Sequence, residues 1–170
     1  ALYAEKFGKK CIDIIQSIND KSDKEDLFRA YIKSFEWRSK IYLSISELLE
    51  LCNKYSIESS ILWNAFINNS VKPRHLLNAD ALHEVLKRYS LTQRDYLWTT
   101  FINEKNSGDD RIVQLIEIYN KGETLEVSDK EQIRLLLILF SWILTSSNRW
   151  LRDTTSKAMI EILKDNFEYT

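Results

Sequence analysis

A heptapeptide that recurs at a fixed interval constrains this chain more than any other feature. Residues 62–68 (LWNAFIN) return 35 residues later as residues 97–103 (LWTTFIN). Residues 27–33 keep the same order of apolar and polar positions one interval earlier, and a looser copy, residues 139–145, follows after 42 residues. A period of roughly 20 to 50 residues is typical of stacked repeats, in which no unit buries its apolar face alone.

The segments between these copies also repeat. Residues 48–57 match residues 82–91 at an offset of 34, and one inserted residue before Leu97 restores the offset of 35. Each unit therefore contains two amphipathic segments, which is typical of a helix hairpin.

The composition favours helices over strands. Only three of the 170 residues are Gly and one is Pro, which disfavours a turn-rich β sandwich or barrel. We predict an all-α fold of about nine helices, a leading helix followed by four stacked antiparallel hairpins that form a right-handed curved α-solenoid. Residues 1–170 then form a single helical-repeat domain, and the start at Ala1 rather than Met predicts a piece of a larger protein.

Capping boxes predict where several helices begin. A Ser or Thr followed three residues later by an acidic residue satisfies two amides of the first turn, and this pattern occurs at residues 22–25, 44–47, 92–95 and 128–131. Ser56 is the predicted cap of the helix that carries residues 62–68. The first and last helices are predicted over residues 3–18 and 151–167.

Charge and cysteine content bound the environment of the protein. Lys and Arg number 24 against 25 Asp and Glu, which gives no general attraction to nucleic acid or an acidic membrane. The longest apolar run is about half of the roughly 20 residues that a membrane span needs. Cys11 and Cys52 lack a C-x-x-C spacing and a secretory signal, which favours buried reduced thiols and a cytoplasmic location.

No residue pattern indicates catalysis, a metal or a cofactor. His83 lacks a second His at helical ligand spacing, because His75 is eight residues away rather than four. Asp109 and Asp110 follow a Gly at a predicted helix start, where acidic residues favour the helix dipole. We therefore expect a non-catalytic protein without a metal or cofactor.

Trp63 and Trp98 occupy equivalent positions of the repeat and allow two interpretations. Aromatic side chains can stack on single-stranded bases. Each of these Trp residues, however, is followed three positions later by Phe on the same helix face. Burial between the repeats is therefore the favoured interpretation, because buried aromatic residues dominate core energetics.

Arg149, Trp150 and Arg152 are the candidate partner-binding residues. The pattern places Trp150 in a short connection before the last helix, beside the two arginines. Trp and Arg are the residues most enriched in interface hot spots. Because acidic residues such as Asp153 and Glu161 interleave with this basic cluster, a solvated face held by i,i+4 ion pairs is the alternative.

The same segment resembles the second helix of a HEAT repeat. Leu151 and Arg152 match the apolar–Arg pair of that pattern, Thr155 is the small residue four positions after the apolar one, and residues 158–159 (AM) stand where the family has Ala-Leu. Elsewhere the Arg ladder of a regular HEAT array is absent, so the predicted fold is HEAT-like.

Residues 145–158 are also similar to a segment in the C-terminal helical-repeat regions of large bacterial STAND-type ATPases. That class includes antiphage defence proteins whose repeats sense a viral protein. The resemblance implies a target-sensing region, and the ATPase site would lie outside this segment because the chain contains no P-loop sequence.

These observations predict a scaffold or sensor module for protein–protein interaction. The expected partner is a protein of unknown identity, without metal, membrane or nucleic acid. Two alternatives stay open: a nucleic-acid-binding HEAT-like repeat, which would need a concave basic stripe, and a structural spacer within a multidomain chain.

Overall fold

The computed structural model describes residues 8–38, 40–105, 108–120 and 129–165, and this part of the chain is all-α. It contains nine helices and one short 3₁₀ turn, Ser34–Glu36, and no strand. In chain order the helices are α1 (Lys9–Ser17), α2 (Lys21–Lys33), α3 (Ile45–Lys54), α4 (Ser59–Asn69), α5 (Ala79–Arg88), α6 (91–103), α7 (Arg111–Asn120), α8 (Lys130–Ile143) and α9 (Arg149–Asp165).

Helix α6 is not α-helical throughout. Its central turn, Asp95–Thr99, is a π-helix between two short α-helical pieces, and the amide of Thr100 donates to the carbonyl of Asp95 five residues back. This turn lies where the offset between repeat units changes from 34 to 35. A π turn holds one residue more than an α turn, so the inserted residue is absorbed inside the helix.

The copies of the heptapeptide form the centre of the core. Their second positions are fully buried in all four copies: Phe28, Trp63, Trp98 and Phe140. The rings of Trp63 and Trp98 meet edge to face with centroids 5.8 Å apart, and each is only 1% exposed. The prediction that these Trp residues are core rather than a base-stacking surface is confirmed.

Helices pack against one another both within the predicted hairpins and between them. α2 contacts α4, and α4 contacts α5 and α7; α8 contacts α5 and α9, and α9 also contacts α7. Arg134 of α8 holds α5 through Asp80, with its Nη1 donating to Oδ1 at 2.8 Å. The all-α prediction is confirmed, while the stacking of hairpins into a solenoid stays a prediction.

The helix starts were predicted with mixed success. At α3 the capping box is confirmed, because Ser44 accepts from the Glu47 amide and the Glu47 carboxylate accepts from the Ser44 amide at 2.7 Å. At α2 the predicted box at Ser22 is wrong. Asp20 is the cap and accepts from the Asp23 amide at 3.0 Å, since helical backbone already begins at Lys21.

Two other predicted caps are also wrong. The box that opens α6 consists of Ser90 and Gln93 rather than Thr92 and Asp95. Ser56 does not cap α4, because it adopts a left-handed backbone conformation (φ 50°) just after α3. At the last predicted box Ser128 lies outside the described residues, and the cap of α8 is Asp129.

Two smaller predictions concern the cysteines and the membrane. Both Cys11 and Cys52 are free thiols; Cys52 is buried, as predicted, whereas Cys11 is only partly buried, so the prediction that it is buried is wrong. None of the described helices combines the length and the apolar character that crossing a membrane requires.

Candidate functional site

The predicted contact residues lie on the first turn of α9. The helix begins at Arg149, so Trp150 is its second residue, and the prediction that Trp150 lies in a connection is wrong. The cap is Asn148, whose Oδ1 accepts from the Leu151 amide at 3.2 Å, and the helix starts two residues earlier than expected. Trp150 is 46% exposed. The side chain of Arg149 is 87% exposed, and its Nε lies 3.4 Å from Oδ2 of Asp153.

The third predicted residue, Arg152, has a different surrounding. Its Nη1 donates to the carbonyl of Ser146 at 2.7 Å, and the side chain is half-buried. At 3.6 residues per turn, residues two apart are separated by about 200° around a helix. Trp150 and Arg152 therefore face different sides of α9. The structure brings Arg149 and Trp150 together as an exposed pair and assigns Arg152 to holding the preceding connection.

Asn103 fixes that connection from the neighbouring unit. Its Oδ1 accepts from the hydroxyl of Ser146 at 2.5 Å and from the amides of Ser147 and Asn148, while its Nδ2 donates to the hydroxyl of Ser147 at 2.7 Å. Asn103 is the last residue of the LWTTFIN copy. The repeat core thus sets the position of the turn that carries Arg149 and Trp150.

A second candidate site was not predicted from the sequence. A cavity of about 390 Å³ lies between two connections and is lined by residues 36–38 and 72–75. We call it the Trp37 pocket. Trp37 is 53% exposed, although most large aromatic residues of the described chain are buried. The volume falls within the range of about 300 to 1,000 Å³ that is usual for ligand sites.

His75 joins the two walls of the Trp37 pocket. Its Nδ1 accepts from the Leu77 amide at 3.1 Å, which leaves Nε2 as the protonated nitrogen, 3.3 Å from the carbonyl of Arg38. Burial lowers the pKa of His75, and the hydrogen bond to Arg38 opposes this effect. A neutral imidazole matches both hydrogen bonds, so His75 acts as a fixed link between the connections.

The charged side chain of Arg38, a lining residue of the pocket, is buried against the core. It is only 1% exposed, and none of its three guanidinium nitrogens has a hydrogen-bond partner within the described ranges. The guanidinium carbon lies 4.5 Å from the ring centroid of Tyr31 and 5.0 Å from that of Phe35. Cation–π contacts offset part of the desolvation cost, and among the described residues no carboxylate forms an ion pair with this charge.

The opposite wall carries two further cations. Lys72 Nζ donates to the carbonyl of Glu36 at 2.5 Å and to Asn69 Oδ1 at 2.8 Å. Burial and the nearby charge of Arg111 lower the pKa of Lys72, and Glu36 raises it. Arg74 is exposed, has no hydrogen-bond or ion-pair partner among the residues described, and adopts a left-handed backbone conformation with φ 61°. Such a conformation is uncommon for a residue other than Gly.

A residue spacing in the sequence indicates this pocket. Trp37 and Lys72 are 35 residues apart, which is the repeat interval. The two connections therefore occupy equivalent places in the sequence repeat, and the predicted stacking of units would bring equivalent connections side by side. An aromatic residue in one connection and basic residues in the next would have predicted a shared cavity.

The histidines do not form a metal site. His83 accepts from the Trp142 indole, whose Nε1 lies 3.2 Å from Nδ1, and His75 is engaged as described. Within the described residues no group of three or more His, Cys, Asp and Glu side chains is arranged to hold a metal ion.

Comparison with known proteins returns no relative. No protein-family model matches the chain, and neither a curated protein nor a solved structure is significantly similar to it.

Proposed function

We propose that this helical-repeat domain is a non-catalytic module that binds a protein partner. The observation that carries the proposal is the exposed pair of Arg149 and Trp150 on the first turn of α9. A Trp that is about half exposed retains a large apolar area that a partner can cover, and Arg and Trp are the residues that most often anchor interfaces. The hydrogen bonds that Ser146 and Ser147 donate to Asn103 hold the connection just before this turn, so little ordering is required on binding.

A sensing role is part of this proposal and rests on the resemblance of residues 145–158 to the repeats of bacterial STAND-type ATPases. In that role the module recognises a foreign protein in the cytoplasm and passes the signal to an ATPase domain. A nucleotide-binding domain encoded in the same reading frame would support the role. A free-standing reading frame with these boundaries would favour an adaptor instead.

Nucleic-acid binding is the second candidate, favoured by the exposed Trp37 beside Lys72 and Arg74. Non-specific affinity for nucleic acid comes from neutralising several phosphates at once. Glu36 lies in the same pocket, and Asp153 pairs with Arg149 on α9, so neither surface is a continuous basic track. We expect no binding to single- or double-stranded DNA tighter than roughly 10⁻⁵ M at physiological salt, and no glycosylase activity.

Site-specific photo-crosslinking separates these candidates. A photoreactive amino acid at position 150 is compared with the same amino acid at position 53, an exposed site on α3. The proposal predicts a discrete protein adduct at position 150 that is absent at position 53. Equal labelling at both positions would support the spacer alternative. Submicromolar oligonucleotide binding with a steep salt dependence, lost on changing Arg149 and Arg152 to Ala, would establish nucleic-acid recognition instead.

A further inference from the structure

We propose that the Trp37 pocket is a second recognition site, which binds an acidic segment of a protein partner through a carboxylate on Arg74 and an apolar side chain on Trp37. The inference rests on the proposed function only in that the ligand belongs to a protein. It concerns different residues from the α9 surface, and it can be tested separately.

The charge of the pocket calls for an anionic ligand. Arg38, Lys72 and Arg74 contribute three positive charges against one from Glu36, and the imidazole between them is neutral. The Arg38 charge is enclosed without a counter-ion among the described residues, so its field is weakly screened. An anion entering the cavity would offset a charge that the fold leaves uncompensated.

The pocket is already in a binding-ready conformation. Its two walls are joined by His75 to Arg38 and by Lys72 to Glu36, and Asn68 also donates to the Glu36 carboxylate at 2.7 Å. The guanidinium of Arg74 is exposed and has no partner among the described residues, so it is accessible to a ligand. The left-handed backbone at Arg74 is retained in spite of its strain, which is typical of a residue held for function.

A carboxylate-bearing peptide fits this arrangement better than a nucleic acid. A guanidinium binds a carboxylate with two parallel hydrogen bonds, and Trp37 with Pro73 provides an apolar surface next to it. A nucleic-acid backbone instead presents a phosphate at every nucleotide. The fixed carboxylate of Glu36 would repel a second phosphate inside the same cavity.

The test is a selection from a library of randomised 12-residue peptides, with the folded domain as bait. We expect enrichment of peptides with an Asp or Glu beside a large apolar residue. Their affinities are then measured by fluorescence anisotropy on three variants. Trp37→Ala and Arg74→Glu each weaken binding by on the order of tenfold or more. Arg88→Glu makes the same charge change at the far end of α5 and has an effect of about twofold or less.

Arg74→Gly separates binding from folding. Gly adopts a positive φ without strain, so this variant unfolds at the same denaturant concentration as the wild type or a higher one, yet it loses the peptide. Trp150→Ala binds the peptide normally, so failure of the α9 proposal and failure of this one are distinguishable. Enrichment of basic or uncharged peptides, no enrichment over an Arg74→Glu bait, or oligonucleotide binding that depends on Arg74 would each overturn the inference.

Discussion

Replacing Trp63 and Trp98 by Phe, one at a time, tests the interpretation of the repeat core. The two residues occupy equivalent positions, are equally buried and pack on each other. Their indole nitrogens differ. Trp98 Nε1 donates to the carbonyl of Trp142 at 3.1 Å, whereas Trp63 Nε1 has no partner within the described part of the chain.

The expected difference in the free energy of unfolding between the two variants follows from these indole nitrogens. Both substitutions leave a similar gap in the core, so the packing losses largely cancel in the comparison. Trp98→Phe also removes a hydrogen bond worth about 1 kcal/mol, while Trp63→Phe removes a buried N–H that is unsatisfied and costly. The carbonyl of Trp142 keeps the hydroxyl of Thr145 as a donor, at 2.6 Å, so it is not left unpaired. We expect Trp98→Phe to cost about 2 to 4 kcal/mol more than Trp63→Phe, because the lost hydrogen bond and the relief of about 1 to 3 kcal/mol at Trp63 add in the comparison.

Urea denaturation followed by far-ultraviolet circular dichroism measures both free energies of unfolding without relying on Trp fluorescence. Trp98→Ala serves as the reference for full truncation and is expected to cost about 3 to 5 kcal/mol. Equal costs for the two Phe variants, or a larger cost at Trp63, would refute the hydrogen-bond argument. A Trp98→Ala cost below about 1 kcal/mol would mean that the side chain is not in the core.

Three further predictions follow from local geometry. Asp20→Ala destabilises α2 by about 1 kcal/mol and Ser22→Ala by almost nothing, as thermal melts will show. Burial raises the pKa of the Cys52 thiol to about 11, so a thiol reagent labels native protein at Cys11 first and labels both at equal rates in denaturant. Hydrogen bonds from Arg134 lower the pKa of Asp80, so the ion pair adds stability at pH values above the ordinary carboxyl pKa. In urea unfolding, the stability that Asp80→Asn loses relative to the wild type therefore shrinks as the pH falls below about 4.

Burial in the core could be predicted best from the sequence, because the size and apolar character of a side chain largely decide it. The aromatic residue at the second heptapeptide position is buried in every copy, because removing a large aromatic side chain from water is strongly favourable. Caps were harder to predict. Asp20 and Ser22 both accept hydrogen bonds well, and the choice between them depends on where the backbone first becomes helical, which side-chain type alone does not determine.

At the candidate sites, too, side-chain type alone does not determine which groups meet, because the groups lie farther apart in the chain. Arg149, Trp150 and Arg152 stay a predicted contact site. The first two are exposed, whereas Arg152 is half-buried because it donates to the carbonyl of Ser146, a group that every residue possesses. The Trp37 pocket joins side chains about one repeat apart. The hydrogen bond that joins its walls runs from His75 to the backbone carbonyl of Arg38, and a bond to a backbone carbonyl cannot be predicted from residue types.

The π turn of α6 affects how this chain tolerates changes in length. Trp98 contacts Trp63 although the chain between the matched segments is one residue longer in the later unit, because Asp95–Thr99 widens to hold the extra residue. Insertions in repeat proteins are usually assigned to connections. Here the π turn gives the extra residue a place inside a helix, and Tyr96 in that turn is exposed. The sequence units are therefore best aligned on their buried aromatic residues rather than on equal spacing, and a one-residue difference between them need not alter a connection.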